Sequence, residues 1–325
     1  MKQSILFFQK LCLLLSAILL LAGCSGSESE EQEKDGDSQP EIRLNAEVWS
    51  MMEGTRATFY NTGTLASGSF TAAAYSANTA TAYISPVTVN WDTDKWAFSD
   101  GKHYWPASGA LDFFAYMPIA GSRPSYISAV TYAVNGTAPA PYFTCADLPL
   151  SLTPVDATQE FVWALVAEQD KAGTNSTNQP TAGQVKLEFR HPFARVRFKL
   201  SAESGINVKV NKITIPDLYR DGTCTLTGTG SSAVSTWSSL GNGSDDFVIS
   251  GNPATNNDAA YLVIPNEYGS KTLTVNATWD DWSNVTTNVS ASVNFNWTAG
   301  YSYTYNLTLS KYALKVDTEK YTEQW

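Results

Sequence analysis

Val289-Ser290-Ala291-Ser292-Val293-Asn294-Phe295-Asn296-Trp297-Thr298-Ala299-Gly300-Tyr301-Ser302-Tyr303-Thr304-Tyr305-Asn306-Leu307-Thr308-Leu309 alternates apolar and polar residues almost without interruption. A period of two belongs to strands with one buried face, not to a helix. A two-residue loop at Ala299-Gly300 sets the two apolar series on opposite faces. A three-residue loop, Thr298-Ala299-Gly300, pairs Trp297 with Tyr301 and Phe295 with Tyr303, and places Gly300 where such a loop needs a left-handed residue. The three-residue hairpin is therefore expected. Beyond it Tyr312, Leu314 and Val316 alternate again, and the chain ends at Trp325.

The same period recurs upstream. Val185, Leu187 and Phe189 alternate, His191-Pro192 interrupts, and Ala194, Val196, Phe198 and Leu200 resume with Arg195, Arg197 and Lys199 between them. A proline there predicts a bulge or a strand-to-strand corner. Leu111-Asp112-Phe113-Phe114-Ala115-Tyr116-Met117 is apolar on nearly every residue, as a central strand buried on both sides would be, and Phe161–Ala167 reads alike. Tyr83–Trp91 and Trp96–Trp105 are strand-like too. Asp100-Gly101 predicts a hairpin pairing Phe98 with His103 and Trp96 with Trp105, and Asp221-Gly222 predicts a second. In Glu41–Ser50, Ile42, Leu44, Ala46 and Val48 alternate with Arg43, Asn45, Glu47 and Trp49. The loop behind it, Met51–Thr58, carries Arg56 near its centre.

Short strands with regular turns give an all-β chain of two β-sandwiches in tandem. The Gly-, Ser-, Thr-, Asn- and Pro-rich Lys171–Gly183 is taken as the boundary, giving domains 41–183 and 184–325. Each has about 140 residues, a common domain size. No internal repeat stands out.

The N-terminus sets where these domains reside. Lys2 and Lys10 precede an apolar run, Leu11–Ala22, shorter than the roughly 20 residues that span a bilayer. Leu21-Ala22-Gly23-Cys24 then forms a lipobox. Residues 1–23 read as a lipoprotein signal peptide, and Cys24 as the residue that carries diacylglycerol. Two acyl chains give stable anchoring where one does not. Residues 24–40 hold Glu28, Glu30, Glu31, Glu33, Asp35 and Asp37 against Lys34, the composition of an unfolded leash. Its sixteen residues after Cys24 reach about 22 Å. The expected location is the outer membrane, anchored by lipid and exposed at the surface. The acidic run is either an export signal or a solvated spacer.

Composition narrows function. The signal holds two lysines and no acids, so its removal takes the net charge from −10 to −12. Nucleic acid is an unsuited partner. Two histidines, His103 and His191, fall in different domains, and no zinc spacing, phosphate loop or nucleophile elbow is present. Asp245-Asp246 and Asp280-Asp281 lack a calcium ligand ladder. No catalytic residue, metal or cofactor is expected. With Cys12 in the signal and Cys24 lipidated, Cys145 and Cys224 remain, expected as two buried free thiols, with a bridge as the alternative.

The order of these features is similar to that of the fimbrillin family, the Mfa-like and FimA-like surface lipoproteins of Bacteroidales. The resemblance rests on the lipobox and leash, Thr55-Arg56-Ala57, Tyr104-Trp105-Pro106, Leu111–Pro118, Phe189–Val196, Ile264-Pro265 and Tyr301–Leu309. It covers nearly the whole chain. It implies two transthyretin-like Greek-key sandwiches and assembly into type V pili. It further implies that an arginine-specific protease cuts the bond between Arg56 and Ala57, and that the vacated groove takes a strand from another pilus subunit. The displaced strand would carry Ile42, Leu44, Ala46 and Val48, worth about 5–10 kcal/mol of apolar burial, comparable with the stability of a whole domain. Tyr312, Leu314 and Val316 are the candidate donor strand, added by β-strand pairing. Stalk, tip and anchor positions all fit, because only a short tail follows Leu309. The alternative is a lipid-anchored glycan-binding protein, motivated by ten tryptophans and requiring an exposed platform of Trp279, Trp282 or Trp237. Surface glycans or proteins of host or bacterial cells are the ligands either adhesive reading implies. A glycoside hydrolase would need two carboxylates facing one another across a cleft.

Overall fold

The computed structural model of the protein describes residues 39–48, 68–149, 160–173, 183–203, 207–241, 243, 245–250, 259–280 and 285–324. The described part forms one compact unit of β-strands. In chain order the strands are β1 (Arg43–Val48), β2 (Ser69–Ser76), β3 (Ala82–Asp92), β4 (Lys95–Phe98), β5 (Leu111–Met117), β6 (Ile127–Thr131), β7 (Val134–Asn135), β8 (Ala138–Pro139), β9 (Tyr142–Cys145) and β10 (Val162–Gln169). They continue with β11 (Gln184–Phe189), β12 (Ala194–Ala202), β13 (Val208–Leu218), β14 (Asp221–Thr227), β15 (Val234–Gly241), β16 (Asp245–Ser250), β17 (Ala260–Val263), β18 (Glu267–Trp279), β19 (Thr286–Asn296), β20 (Tyr301–Leu309) and β21 (Leu314–Gln324).

The largest sheet runs β10-β5-β2-β3-β4-β1-β11. It rolls until its two outer strands meet, where Trp163 and Arg190 exchange backbone hydrogen bonds of 3.1 and 2.8 Å. One core fills the roll, with Phe70, Phe113, Ala115, Val162, Ala164 and Leu187 among its members. A second core lies outside β5 and β10, where Phe114, Tyr116, Trp163 and Leu165 pack under the sheet β15-β14-β9-β6. Both faces of β5 and β10 are thus covered, which explains why their sequences are apolar at successive residues. Asp112 in β5 is fully buried and accepts hydrogen bonds from the Asn78 and Glu168 amides and the Tyr132 hydroxyl.

The third core lies between two four-stranded sheets, β17-β12-β20-β21 and β16-β13-β18-β19. Its ring stack includes Phe198, Tyr305, Phe295 and Trp297. Strand pairing runs across residue 183 in both directions. β11 lies against β1 in the rolled sheet, and β14 lies against β9. At Arg190–Phe193 the chain leaves the rolled sheet and enters the sandwich at β12, so Pro192 marks a strand-to-strand corner. The His191 ring is buried there, its Nδ1 2.6 Å from the Glu160 carboxylate.

Three turns differ from expectation. β19 and β20 do not form a hairpin. β19 pairs with β18, β20 pairs in parallel with β12, and Thr298–Gly300 crosses from one sheet of the sandwich to the other. Both apolar series still face one core because they line it from opposite sheets. Gly300 has φ +75°, and its amide donates to the Phe193 carbonyl. At Asp100-Gly101 the expected hairpin gives way because β1 takes that place beside β4, pairing Leu44 with Trp96. The tight turn is instead Thr93-Asp94, between Asp92 and Lys95, with Thr93 at φ +58°. Asp221-Gly222 lies within β14, where a β-carbon on Gly222 would stand 3.0 Å from Leu240 and Trp237. That glycine serves close packing, not a turn.

Cys145 and Cys224 are free and buried on the adjacent strands β9 and β14. Burial pushes both thiols above the ordinary cysteine range.

Candidate functional site

The first strand is the element on which the sequence-derived candidates converge. Ile42, Leu44, Ala46 and Val48 point into the roll and are buried, at 3%, 5%, 8% and 2% exposure. Around them stand Phe70, Trp96, Val185, Leu187 and Phe189. Arg43 and Asn45 face outward, as the period of two requires.

One edge of β1 is fully engaged. It runs parallel to β11 from Arg43 opposite Gln184 to Val48 opposite Phe189, six positions in unbroken register. The start of the strand is tied down by three backbone bonds: Ile42 N–H to the His103 carbonyl, Arg43 N–H to the Gly183 carbonyl, and Trp105 N–H to the Pro40 carbonyl. The Trp105 indole N–H also reaches the Gly183 carbonyl at 3.3 Å. Gly183 sits at φ +81°, a left-handed conformation that suits glycine.

Charge reinforces the same edge. Lys186 lies 2.6 Å from the Glu47 carboxylate and 2.8 Å from that of Glu188. Arg190 approaches the other oxygen of Glu188 at 3.7 Å. Burial alone would lower the Lys186 pKa, but its hydrogen bonds to Glu188 and Glu47 outweigh that effect and raise it above the ordinary lysine value. A lysine on β11 thus reads a carboxylate on β1.

The opposite edge is held more sparsely, and the Ile42–His103 and Trp105–Pro40 backbone bonds that bridge Glu41 with Tyr104 belong to it. β1 meets β4 at a single paired position, Leu44 with Trp96. Beside it lies a cleft of about 670 Å³, lined by Leu44, Trp96, Phe98, Gly101 and Lys102 among others. The strand is therefore a deeply buried wedge, secured along β11 and loosely held along β4.

The other candidates are dispersed. Leu314 packs on the sandwich core at 8% exposure, with Val316 against it, and β21 is paired along its length with β20 of the same chain. Tyr312 lies in the turn before β21, not in the strand, and is 88% exposed. The turn is closed by hydrogen bonds between Ser310 and Ala313. Cys24, Arg56, Ala57 and Trp282 lie outside the described residues. Trp279 is buried at 1% exposure, and the Trp237 indole N–H donates to the Pro192 carbonyl. His103 stacks edge-on to Phe98 and bonds Asp100 at 2.9 Å. Among the described residues no group of three or more His, Cys, Asp or Glu side chains gathers to hold a metal.

Sequence reasoning did not single out the carboxylate-reading Lys186. The signal was present: Lys186 and Glu188 are the polar members of the alternating run Val185–Phe189, so they share the outer face of one strand. What could not be read was that β1, not a local neighbour, lies beside them.

Comparison with known proteins gives the context. A family model described as fimbrillin-like matches residues 55–325, beginning after β1 ends. None of the curated proteins compared matches. A crystal structure of a candidate cell adhesion protein from Bacteroides uniformis superposes with a TM-score of 0.52 at 14% identity, covering 88% of this chain and 98% of that one. One from Bacteroides ovatus, also described as a candidate cell adhesion protein, has a TM-score of 0.47 at 14% identity, covering 87% and 96%. At 14% identity the likeness to the first is one of fold.

Proposed function

Because this chain belongs to the fimbrillin-like family, we propose that it is a non-enzymatic subunit of a surface fimbria, held by lipid on Cys24 until cleavage after Arg56 frees it for strand exchange. The observation that carries this reading is β1 itself. With Ile42 just ahead of it, its inward side chains are buried in the roll, yet among the described residues its edge away from β11 is paired only at Leu44 with Trp96 and at Glu41 with Tyr104. Cleavage after Arg56 would sever β1 from the rest of the chain and leave Phe70, Trp96 and Leu187 beside an open slot. The lost contacts, about 5–10 kcal/mol, are large enough to drive capture of a replacement strand.

The chain carries a segment that matches six residues of the slot, Ile42–Glu47, whereas the next inward place, that of Val48, would fall to Lys320. Ile42-Arg43-Leu44-Asn45-Ala46-Glu47 and Leu314-Lys315-Val316-Asp317-Thr318-Glu319 correspond position by position: apolar, basic, apolar, Asn or Asp, small, glutamate. In that register Leu314 and Val316 take the places of Ile42 and Leu44, and Glu319 takes the place that Lys186 reads. The donor is the C-terminal strand of a second subunit, delivered by β-strand addition. Glycan binding through a tryptophan platform is not favoured, since Trp279 belongs to the core.

The test is digestion of the purified protein with an arginine-specific protease, followed by intact mass and denaturing gel mobility. Loss of the segment ending at Arg56, together with a ladder of denaturant-resistant oligomers that Arg56→Ala abolishes, supports the reading. A protein that resists cleavage at Arg56, or is cut there and stays monomeric, refutes the exchange step.

A further inference from the structure

Each free sheet edge is a template for another strand unless something guards it. Most edges here are guarded. β21 carries Lys315, Asp317, Glu319 and Lys320. β15 bulges at Ser239, which sits at φ +50°. β16 opens with two aspartates, and β17 has only four residues. β19 has none of these devices. Its eleven residues, Thr286–Asn296, include no charge, proline or glycine, and from Thr286 to Phe295 they pair with β18 in unbroken register. Among the described residues no strand is hydrogen-bonded to its other edge.

The sequence of that edge is self-complementary. Asn288-Val289-Ser290-Ala291-Ser292-Val293-Asn294 reads the same in both directions. Antiparallel partners are read in opposite directions, so this segment laid against itself sets each residue opposite its own kind. Ala291 meets Ala291, Ser290 meets Ser292, Val289 meets Val293, and Asn288 meets Asn294. The faces agree as well. Asn288, Ser290, Ser292 and Asn294 are exposed on one face, while Val289 and Val293 are buried on the other.

The outer face already carries cross-strand rows that such pairing would extend. Ser290 bonds Thr274 at 2.9 Å, Ser292 bonds Ser270 at 2.6 Å, and the Asn276 amide donates to Asn288 at 2.7 Å. Pairing would place Ser292 of the second copy beside Ser290, and its Asn294 beside Asn288, lengthening each row. With a net charge of −10, copies of this chain repel one another in general, and an uncharged eleven-residue edge is where they can approach.

We propose that two copies of this chain join edge to edge along β19, antiparallel and two-fold symmetric about Ala291, fusing their β16-β13-β18-β19 sheets into one of eight strands. Such an interface is isologous, with the same patch used on both sides. Its hydrogen-bonded edge belongs to β19 alone, and since β21 packs across the sandwich from β19, the test uses uncleaved protein in which β21 stays in place and strand exchange plays no part.

Sedimentation velocity of the full chain in density-matched detergent tests it. The wild type is expected to shift from monomer to dimer as its concentration rises. Ser290→Lys with Ser292→Lys sets like charges opposite each other twice at exposed positions, and is expected to weaken the dimer by about tenfold or more. Ser290→Glu with Ser292→Glu should behave alike, and mixing the lysine and glutamate variants should restore a dimer. A wild type that remains monomeric, a lysine variant that dimerises as the wild type does, or a mixture that fails to associate overturns the proposal.

Discussion

The Lys186 ammonium, on the strand that stays, lies 2.6 Å from the carboxylate of Glu47, on the strand proposed to leave. The pair stands on the outer face, each side chain about one-third exposed, so its worth is that of a surface ion pair, about 0.2–1 kcal/mol. It selects register more than it supplies stability.

Glu47→Gln, which leaves Lys186 paired with the buried Glu188, is therefore expected to lower the melting temperature of the intact protein by only a few degrees. The pH dependence follows from the raised Lys186 pKa. A folded pKa above the unfolded one gives stabilisation that is complete below the ordinary lysine range and is lost as pH climbs through the folded value. The difference between wild type and variant in urea unfolding should stay flat across neutral pH and vanish only in strongly alkaline buffer. A difference that grows with pH would contradict the assignment.

Leu44 carries much of the inward packing of β1. Leu44→Ala should cost about 2–5 kcal/mol in urea unfolding, the range for leucine truncation in a close-packed core. Arg43→Ala, one residue away on the outer face, should stay within about 0.5 kcal/mol of wild type. Equal effects at the two positions would mean that β1 is not seated as described.

Gly222→Ala separates the packing role of this glycine from the turn role that Asp221-Gly222 suggests. A β-carbon 3.0 Å from Trp237 and Leu240 should destabilise by about 1–3 kcal/mol, as overpacking does. A neutral result would show that the β14–β15 contact yields easily.

Cys145 and Cys224 are buried, and their thiols are held in the protonated, unreactive form. Neither Cys145 nor Cys224 should take up a thiol reagent in the native protein, and both should react once it unfolds. Rapid labelling of either thiol in the native protein, or a disulfide between them, would contradict this.

What the sequence disclosed was the periodicity of each strand and the burial of each face. Arg43–Val48, Val289–Asn296 and Tyr301–Leu309 lie in strands with the inward residues that alternation assigns, and Leu111–Met117 is a strand buried on both faces. What it withheld was the identity of the neighbours. Asp100-Gly101 has hairpin chemistry, but β1 arrives from more than fifty residues away to take the place beside Trp96. Thr298-Ala299-Gly300 has loop chemistry, but β12 is the better partner for β20, so the loop changes sheets. Local residues settle the turn, whereas long-range pairing settles which strands it joins. The Glu47–Lys186 contact was hidden for the same reason, since it exists only once β1 lies beside β11.

On the proposed exchange, the β1 slot accepts residues 314–319 of another copy in one register. In the intact protein Ala46 stands opposite Leu187. The proposed register puts Thr318 in that place, while in its own chain Thr318 pairs with Tyr305 in a different sheet. The measurement is to cleave a Leu187→Cys variant after Arg56, mix it with a Thr318→Cys variant under mild oxidation, and map the disulfides by mass spectrometry. The expected result is an intersubunit disulfide joining the two introduced thiols, which forms only after cleavage. No such link after complete cleavage, or one that forms equally well with β1 still in place, would contradict it.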